Sequence, residues 1–301
     1  MTVQRIDIQD RKQWLDLRQQ DVTASDIGCL FGLHPYKTPL ALWAEKTGVG
    51  LDVVENSAMR RGRWLEDAVI SACRDTHPDW QIVKPAVYLR DEAMRLGATP
   101  DAVANGDTII QCKTVADRAF KAWDGAPVHY QMQALTEAML WGAARAVLAV
   151  LVISPYGAEY HEIEIPRHEA AEKKIVEGVA TFWLHLSNGV TPKADYAADA
   201  ELLAKLYAPN DASPPLDLST DNYLPDLLAE RQALMETASK SEDRLKAIKG
   251  EIIEKMAGSP LATLPGWQIT NKIQHRKESI LKATSFPVLR ITQKLETEKV
   301  A

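Results

Sequence analysis

The residues best suited to chemistry lie in one short stretch of the chain, between Asp101 and Lys113. Residues two apart on a β-strand share a face, so Gln111 and Lys113 should project together while Cys112 points into the core. A two-residue turn before this strand would put Asp101 on the opposite face, whereas a three-residue loop at 105–107 pairs Asp101 with Gln111. The chemistry therefore predicts a hairpin with the longer, bulged turn.

Oxygen-bearing side chains and a lysine on one sheet face are typical of enzymes that hydrolyse phosphodiesters. Carboxylates hold Mg²⁺, which polarises the phosphate and lowers the pKa of an attacking water, and the lysine orients that water or offsets negative charge. Taken alone, the spacing of Asp101, Gln111 and Lys113 is weak evidence, because such spacings often arise by chance and a solvated hairpin explains them more simply. The identification of a nuclease therefore depends on further motifs.

Four blocks of sequence around this stretch resemble the lambda-exonuclease and YqaJ-type phage recombination nucleases of the PD-(D/E)xK superfamily. They occur in the order of the family and span roughly residues 10–190: Arg18 with VTASD (22–26) and GLHPYKTP (32–39), RGRWLE (61–66), LGATPD (96–101) with QCKT (111–114), and HYQMQ (129–133). The resemblance implies a mixed α/β (α+β) fold, a PD-(D/E)xK nuclease core in which helices flank a mixed central sheet.

The resemblance also implies an activity. Family members are Mg²⁺-dependent 5′-to-3′ exonucleases on linear double-stranded DNA, with Mn²⁺ as a substitute metal. They generate 3′ single-stranded overhangs for a phage single-strand annealing protein and enclose DNA in ring-shaped homo-oligomers of three or four subunits. We therefore expect DNA ends, an annealing protein and copies of the same chain as partners.

Residue roles carry over by position in the motifs. Glu66, Asp101 and Gln111 match the side chains that coordinate the metal, and the backbone carbonyl of Cys112 matches a further ligand. Lys113 matches the catalytic lysine. Together these five positions form the expected catalytic site.

A second set of positions is expected to contact DNA. Arg18 and Ser25 match the pair that receives a 5′-phosphate, and Gln133 matches a glutamine near the scissile phosphate. An arginine fork suits a phosphate dianion, and a helix N-terminus near Ser25 favours anions. Three further candidates for DNA contact complete the set: Thr99, Arg63 and Lys37.

Several of these residues also have purely structural explanations. Ser25 could be a plain helix cap, and Gln133 could pair with Glu137 one helical turn later. The loop that carries Lys37 could simply complete a turn, and Trp123 is expected in the core rather than as a platform for bases. The sequence leaves these alternatives open.

The chain departs from the family at Gln111, where the family has glutamate. An amide can still offer an oxygen to Mg²⁺ but loses most of the electrostatic attraction, so metal affinity and activity should fall. The change is either an engineered trap, a natural variant that uses the amide oxygen, or a decayed nuclease. Intact surroundings favour the first two. The rival functions are a non-catalytic DNA-end-binding recombination scaffold and a structure-specific endonuclease on the same fold.

Composition limits the class of protein. The 301 residues carry a net charge of −6 and are 46% hydrophobic, which excludes DNA binding by bulk positive charge and predicts a sizeable core. Three cysteines at no metal-ligand spacing indicate neither disulfides nor a zinc cluster. Because no secretion signal or long apolar run is evident, we expect a cytoplasmic protein in a bacterial host, encoded by phage or prophage.

Apolar periodicity and capping signals predict alternating helices and strands. Helices are expected at residues 9–20, 27–33, 39–47, 56–75, 127–141 and 167–188, and strands at 80–89, twice within 96–114, at 146–153 and at 159–165. A right-handed crossover through the helix at 127–141 should place strand 146–153 parallel to the strand that carries Lys113.

The chain is expected to divide into a nuclease domain at residues 1–210, a linker at 211–221 and a C-terminal extension at 222–301. The linker is rich in Pro, Asp, Ser and Asn. The extension should contain a long helix at 225–256 and a small β element with a strand at 266–273. The apolar seam of the long helix is interrupted, which favours docking on a neighbouring surface over a free-standing coiled coil.

Overall fold

The computed structural model describes residues 2–52, 55–209, 214–264 and 267–271. The chain divides into two compact units between Tyr207 and Ala208. Because residues 210–213 lie outside the described part, the linker remains a prediction. No described helix is long and apolar enough to cross a membrane.

The first unit contains nine described strands and eight described α-helices. In chain order they are β1 (Val3–Asp7), α1 (Arg11–Gln20), β2 (Val22–Thr23), a 3₁₀ turn (Ala24–Asp26), α2 (Ile27–Leu30), α3 (Pro39–Lys46), α4 (Ser57–Thr76), β3 (Ile82–Val83), β4 (Val87–Asp91), β5 (Leu96–Ala98), β6 (Ala102–Ala104), β7 (Thr108–Ala116), α5 (Asp117–Phe120), α6 (Val128–Trp141), β8 (Arg145–Ser154), β9 (Gly157–Pro166), α7 (Glu169–Ser187) and α8 (Ala200–Leu206).

A five-stranded mixed sheet forms the centre of this unit, with strand order β3-β6-β7-β8-β9. Strands β7 and β8 are parallel, joined through α6, and the other neighbours are antiparallel. The predicted crossover is confirmed, as is the prediction of a mixed sheet flanked by helices. The apolar run of β8 is almost entirely buried, as expected for a strand covered on both faces.

The β6–β7 hairpin has the register that the chemistry requires. Ala102 pairs with Ile110 and Ala104 pairs with Thr108, which leaves a three-residue loop at 105–107 and brings position 101 opposite position 111. The left-handed backbone of the loop, with φ of 53° at Asn105 and 79° at the following glycine, makes this turn possible. The prediction of the longer turn is confirmed.

A second sheet, of order β1-β4-β5-β2, was only partly predicted. The expected single strand at 80–89 is wrong: it is two short strands, β3 and β4, which belong to different sheets. Strand β1 was missed because its two apolar residues, Val3 and Ile6, are three positions apart and so lack the period-2 alternation of a half-buried strand. The expected helix at 27–33 ends at Leu30, just before Gly32 adopts a left-handed conformation.

Local signals explain most helix ends. Asp10, Thr38 and Asn56 each cap a helix by accepting a hydrogen bond from the backbone N–H three residues later. Gly142, with φ of 80°, ends α6. Helix α6 lies between two hydrophobic clusters, because Leu135 and Met139 pack in one while its alanines pack in the other. Helix α6 therefore connects the two clusters.

The second unit contains helix α9 (Leu224–Met256) and a two-stranded antiparallel sheet of β10 (Leu261–Leu264) and β11 (Trp267–Thr270). The long helix and the small β extension are confirmed. Strand β10 was not predicted, and part of the predicted strand 266–273 lies outside the described residues.

Candidate active site and nucleic-acid interface

One open cleft in the first unit, with a volume of about 1830 Å³, brings together most of the predicted site residues. Strand β7 of the central sheet, the 3₁₀ turn and helices α1, α3, α4 and α6 contribute to its wall. The predicted residues that line it are Arg18, Ser25, Lys37, Glu66, Asp101, Gln111, Cys112, Lys113 and Gln133. Of the predicted set, only Thr99 and Arg63 are not among the lining residues.

The hairpin face places Asp101 beside Gln111, as the register requires. Oδ2 of Asp101 accepts hydrogen bonds from Nε2 of Gln111 and from the backbone N–H of Cys112 at 2.8 Å. Burial raises the pKa of Asp101 to about 6; the charge of Lys113 opposes this rise and that of Glu66 adds to it. Negative charge at Asp101 is therefore only partly compensated.

Gln111 is 2% exposed and is held in the middle of the sheet by strand β7. Its amide nitrogen faces Asp101, and its Oε1 is buried without a hydrogen-bond partner among the described residues. A buried acceptor without a donor is costly, so this oxygen is available for a ligand that the protein itself does not provide.

Glu66 reaches the cleft from α4. Its Oε1 lies 2.7 Å from Nζ of Lys84, which also contacts Asp67 at 2.9 Å. These two carboxylates raise the pKa of Lys84 although desolvation opposes the rise. No sequence motif indicates Lys84, because this residue follows β3 and lies outside every motif.

The donors around Asp101 fit a hard divalent cation in their chemistry. Glu66, Asp101 and Gln111 offer only oxygen atoms, the ligands that Mg²⁺ prefers, and Oε1 of Gln111 lacks a partner. The described residues contain no group of three or more His, Cys, Asp or Glu side chains suited to hold a metal. Gln111, beside Asp101, contributes a neutral amide and not a carboxylate to these donors.

The predicted metal role of Cys112 involves only its backbone. The thiol is buried in the hydrophobic cluster beneath the sheet, with Ile70, Cys73 and Ala149. This confirms that Cys112 points into the core while its neighbours on β7 face the cleft.

A hydrogen-bonded chain connects Lys113 to a buried acid. Nζ of Lys113 donates to Oε1 of Gln133 at 3.2 Å, and Nε2 of Gln133 donates to Oε1 of Glu137 at 3.1 Å. Glu137 is 1% exposed, and its Oε2 has no partner among the described residues. Burial raises the pKa of Glu137 well above its usual value; the charge of Asp101 adds to this rise and Lys113 opposes it.

Glu137 is the residue that the sequence motifs missed as part of the site. Its spacing of four residues from Gln133 allows the observed pairing on one helix face. The available signal was an acid within an otherwise apolar run, Ala134–Leu140, which the structure buries completely.

The predicted phosphate pair lines another part of the same cleft, formed by α1 and the 3₁₀ turn, which we call the phosphate end. Nη2 of Arg18 donates to Oγ of Ser25 at 3.2 Å, and its guanidinium stacks 4.6 Å from the ring of Trp14. The indole N–H of Trp14 donates to Oγ1 of Thr99 at 3.0 Å. Thr99 therefore contacts Trp14, which in turn packs against Arg18.

Buried ion pairs hold the turn that carries Ser25. Nζ of Lys37 lies 2.8 Å from Asp26 and 2.5 Å from Glu45, while the fully buried Lys46 lies 2.8 Å from Glu45 and 3.7 Å from Asp26. Burial alone would raise the pKa of Asp26, but Lys37, Lys46 and Arg18 lower it far below its usual value. Lys37 thus lines the cleft with its charge already matched by two carboxylates.

Three arginines near the start of α4, Arg60, Arg61 and Arg63, differ in where they lie. Arg61 lines the cleft. Arg63 is 57% exposed in its side chain and pairs with Glu55 at 3.0 Å, as Arg60 does at 3.3 Å. Of the three, Arg61 is therefore the one positioned to meet a ligand in the cleft.

Residues 13–144 match the family profile described as the YqaJ-like viral recombinase domain. All predicted site residues, from Arg18 to Gln133, lie within the matched range. The family resemblance seen in the motifs is thereby confirmed.

Individual relatives extend the match beyond this domain. The chain is 25% identical over 299 residues to YqaJ of Bacillus subtilis (strain 168), described as uncharacterized, covering 92% of each protein. A solved alkaline exonuclease (LHK-Exo) from Laribacter hongkongensis is similar over 65% of this chain and 99% of its own, at 19% identity and a TM-score of 0.49. A phage related exonuclease from Haemophilus somnus 129PT is similar over 56% of this chain and 96% of its own, at 14% identity and a TM-score of 0.41.

Proposed function

We propose that this chain is a metal-dependent 5′-to-3′ exonuclease that acts on the ends of linear double-stranded DNA and leaves 3′ single-stranded overhangs. The observation that carries the proposal is that the Asp101–Gln111–Lys113 face and the Arg18–Ser25 pair line one cleft. Such a cleft can hold a terminal phosphate at one end and present a phosphodiester to the lysine at the other.

The catalytic end would combine a metal with the lysine. Glu66, Asp101, the amide oxygen of Gln111 and the carbonyl of Cys112 would hold Mg²⁺ or Mn²⁺, which when bound polarises the phosphate and activates water. Lys113, fixed by its hydrogen bond to Gln133, would orient that water and offset charge on the phosphate.

The phosphate end would set the polarity. Within the described residues Arg18 has no ion-pair partner, so its guanidinium is available to a phosphate dianion, with the Ser25 hydroxyl beside it. The other predicted DNA contacts would act less directly: Lys37 by holding the turn at 24–26, Thr99 through Trp14, and Arg63 from the rim.

The biological setting follows from the same proposal. The overhang would serve a phage single-strand annealing protein in the cytoplasm of a bacterial host. A ring-shaped homo-oligomer of three or four subunits would concentrate local basic groups around DNA despite the net charge of −6. Light scattering at micromolar concentration tests the ring, and a strictly monomeric mass would contradict it.

One observation favours a second candidate function. A neutral amide replaces the third carboxylate at Gln111, and the described residues hold no complete acidic metal group. A decayed nuclease could persist as a non-catalytic protein that binds DNA ends in recombination. It would bind ends in a salt-sensitive manner without turnover under any metal.

The decisive experiment is digestion of a 5′-phosphorylated linear duplex with Mg²⁺ or Mn²⁺. The chain should be compared with its Gln111→Glu form, with Lys113→Ala as the inactive control, and with covalently closed circular DNA as a second substrate. The proposal expects mononucleotide release from the linear duplex by Gln111→Glu, with equal or weaker release by the unchanged chain.

The other outcomes would support a different function or contradict one part of the proposal. End binding without turnover by both the unchanged chain and Gln111→Glu would establish the scaffold. Nicking of the closed circle would establish an endonuclease on the same fold. Equal digestion of 5′-hydroxyl and 5′-phosphate ends would contradict the role given to Arg18 and Ser25.

A further inference from the structure

Five aromatic side chains form a continuous strip along the cleft. Tyr36, His34, His129, Tyr130 and Trp123 contact one another in this order, with ring centroids 6.1, 5.8, 4.0 and 5.8 Å apart, and all five line the cleft. We call this set the aromatic strip. The sequence motifs offered His34 only a contact with the DNA backbone. Trp123 was expected in the core rather than as a platform for bases, and it packs against a core cluster while also lining the cleft.

The strip meets the catalytic site at one of its rings. Nζ of Lys113 lies 4.8 Å from the centroid of Tyr130. The strip therefore passes beside the lysine proposed to act on the phosphate, and a nucleotide strand whose phosphate is near Lys113 would have its neighbouring bases beside the strip.

The outer part of the strip is held in place by the backbone. The N–H of Tyr36 donates to Nδ1 of His34 at 3.2 Å. At Gly28 on α2, a Cβ atom would come within 3.0 Å of the Cβ of His129 and 3.5 Å of that of His34. Glycine thus permits the close approach of the two histidines, which joins the loop part of the strip to α6.

The rings of the strip present largely uncharged faces at neutral pH. Burial lowers the pKa of His129 to about 4, with the charges of His34 and Lys113 adding to the effect, and burial lowers the pKa of His34 as well. Tyr36, at the outer end, is 89% exposed. An aromatic ring so exposed contributes little to the core and has a free face for a ligand.

We propose that the aromatic strip binds unstacked bases of single-stranded DNA. Every base has a π face, so stacking on aromatic side chains holds a single strand without reading its sequence. Bases inside an intact duplex are already stacked on each other and cannot present that face. The inference rests on the proposed function in one respect: the strand held by the strip would be the nuclease substrate or its product.

The test measures binding in EDTA, where no cleavage occurs. Fluorescence anisotropy compares a labelled poly(dT) oligonucleotide with a blunt duplex of the same label. Tyr36→Ala and Tyr36→Leu should weaken binding of the oligonucleotide by about 5-fold to 150-fold, the range expected for one stacked base. Tyr36→Phe keeps the ring and should bind like the unchanged chain, and blunt-duplex binding should change little.

Tyr156 supplies the matched control. It is a tyrosine of 99% exposure in the β8–β9 turn and does not line the cleft. Tyr156→Ala should leave both affinities unchanged. Because Tyr36 is so exposed, its variants should unfold at the same temperature as the unchanged chain.

Two results would overturn the inference: oligonucleotide binding that is unaffected by Tyr36→Ala, or no oligonucleotide binding by the unchanged chain, which would leave the strip as a surface for a protein partner. The inference and the proposed function can fail separately. Tyr36-dependent binding without any nuclease activity, even in Gln111→Glu, would contradict the proposed function and leave the inference on the aromatic strip standing. Nuclease activity with binding that does not depend on Tyr36 would contradict the inference on the aromatic strip and leave the proposed function standing.

Discussion

Buried carboxylates are compensated by lysines at the phosphate end of the cleft and are largely uncompensated at the catalytic end. At the phosphate end, Asp26 and Glu45 are matched by Lys37 and Lys46 within a compact set of ion pairs. At the catalytic end, carboxylates are buried beside few cations, and Oε1 of Gln111 and Oε2 of Glu137 have no partners within the described residues. The pKa values of the acids shift accordingly, downward for Asp26 and upward for Asp101 and Glu137.

This difference indicates how each end would meet its ligand. The phosphate end is complete without one, so the Arg18–Ser25 pair is held ready by interactions that do not involve DNA. The catalytic end has surplus acceptors and surplus negative charge, and a cation would relieve both. Mutation of the ion pairs at the phosphate end should therefore lower stability whether or not metal is present. Stability at the catalytic end should instead depend on the metal.

The largest effect is expected at the phosphate end, for Asp26→Asn. Removing one partner leaves Lys46 buried with less compensation, and breaking a buried ion pair costs about 3–5 kcal/mol. The free energy of unfolding in urea should fall by this amount whether or not a divalent cation is present. Any preference for 5′-phosphorylated ends should fall with it.

The surface pair of Arg63 with Glu55 is the natural control for this prediction. Glu55→Gln removes a carboxylate from an exposed pair, so the free energy of unfolding should change little. Equal losses for Asp26→Asn and Glu55→Gln would show that the ion pairs of the phosphate end are no more stabilising than an exposed pair.

A smaller effect is expected for Gln111→Glu. Unlike the effect of Asp26→Asn, it should depend on whether a divalent cation is present. The amide N–H that now donates to Asp101 would become a second carboxylate oxygen, and two adjacent carboxylates repel each other unless a proton or cation lies with them. In EDTA the melting temperature should fall. In Mg²⁺ at about one hundred times the dissociation constant, binding adds about 2.7 kcal/mol, or roughly 5 to 10 °C.

Gln268→Glu makes the same change of charge on an exposed strand of the second unit. Its melting temperature should not respond to Mg²⁺ beyond the response of the unchanged chain. If Gln111→Glu also shows no response, then position 111 is not part of a metal site and the contrast between the two ends loses its basis.

The contrast also explains which parts of the site the sequence could predict. The hairpin loop followed from the requirement that Asp101 and Gln111 share a face, since side chains alternate strictly along strands. Arg18 and Ser25 followed from motif position. Both predictions rest on short-range rules, where the order of residues determines the geometry.

The remaining features depend on contacts between segments far apart in the chain. Lys84 reaches Glu66 from beyond α4, and the ring of His34 meets that of His129 only because α2 and α6 pack closely at a glycine. Nothing local marks these pairings. The division of 80–89 between two sheets was missed for the same reason, since each short strand is defined by its distant partner.

The smallest predicted effect concerns Glu137 as a positioning residue. Its Oε1 fixes the amide of Gln133, whose oxygen in turn accepts from Lys113. In the Gln111→Glu background, Glu137→Leu should lower the rate of nucleotide release by about 10-fold, since loss of a supporting hydrogen bond to a metal-site or catalytic group typically costs about 10 to 100-fold. The substrate concentration at half-maximal rate should stay the same.

Glu137→Gln distinguishes positioning from a merely structural role. Its amide oxygen can still accept from Gln133, so the rate should recover to near that of the parent. The pH at which the rate is half-maximal on the acid side should stay the same in Glu137→Gln, because the raised pKa of Glu137 leaves this acid uncharged where Asp101 titrates. Equal losses for Glu137→Leu and Glu137→Gln would show that Glu137 acts only through its packing on α6.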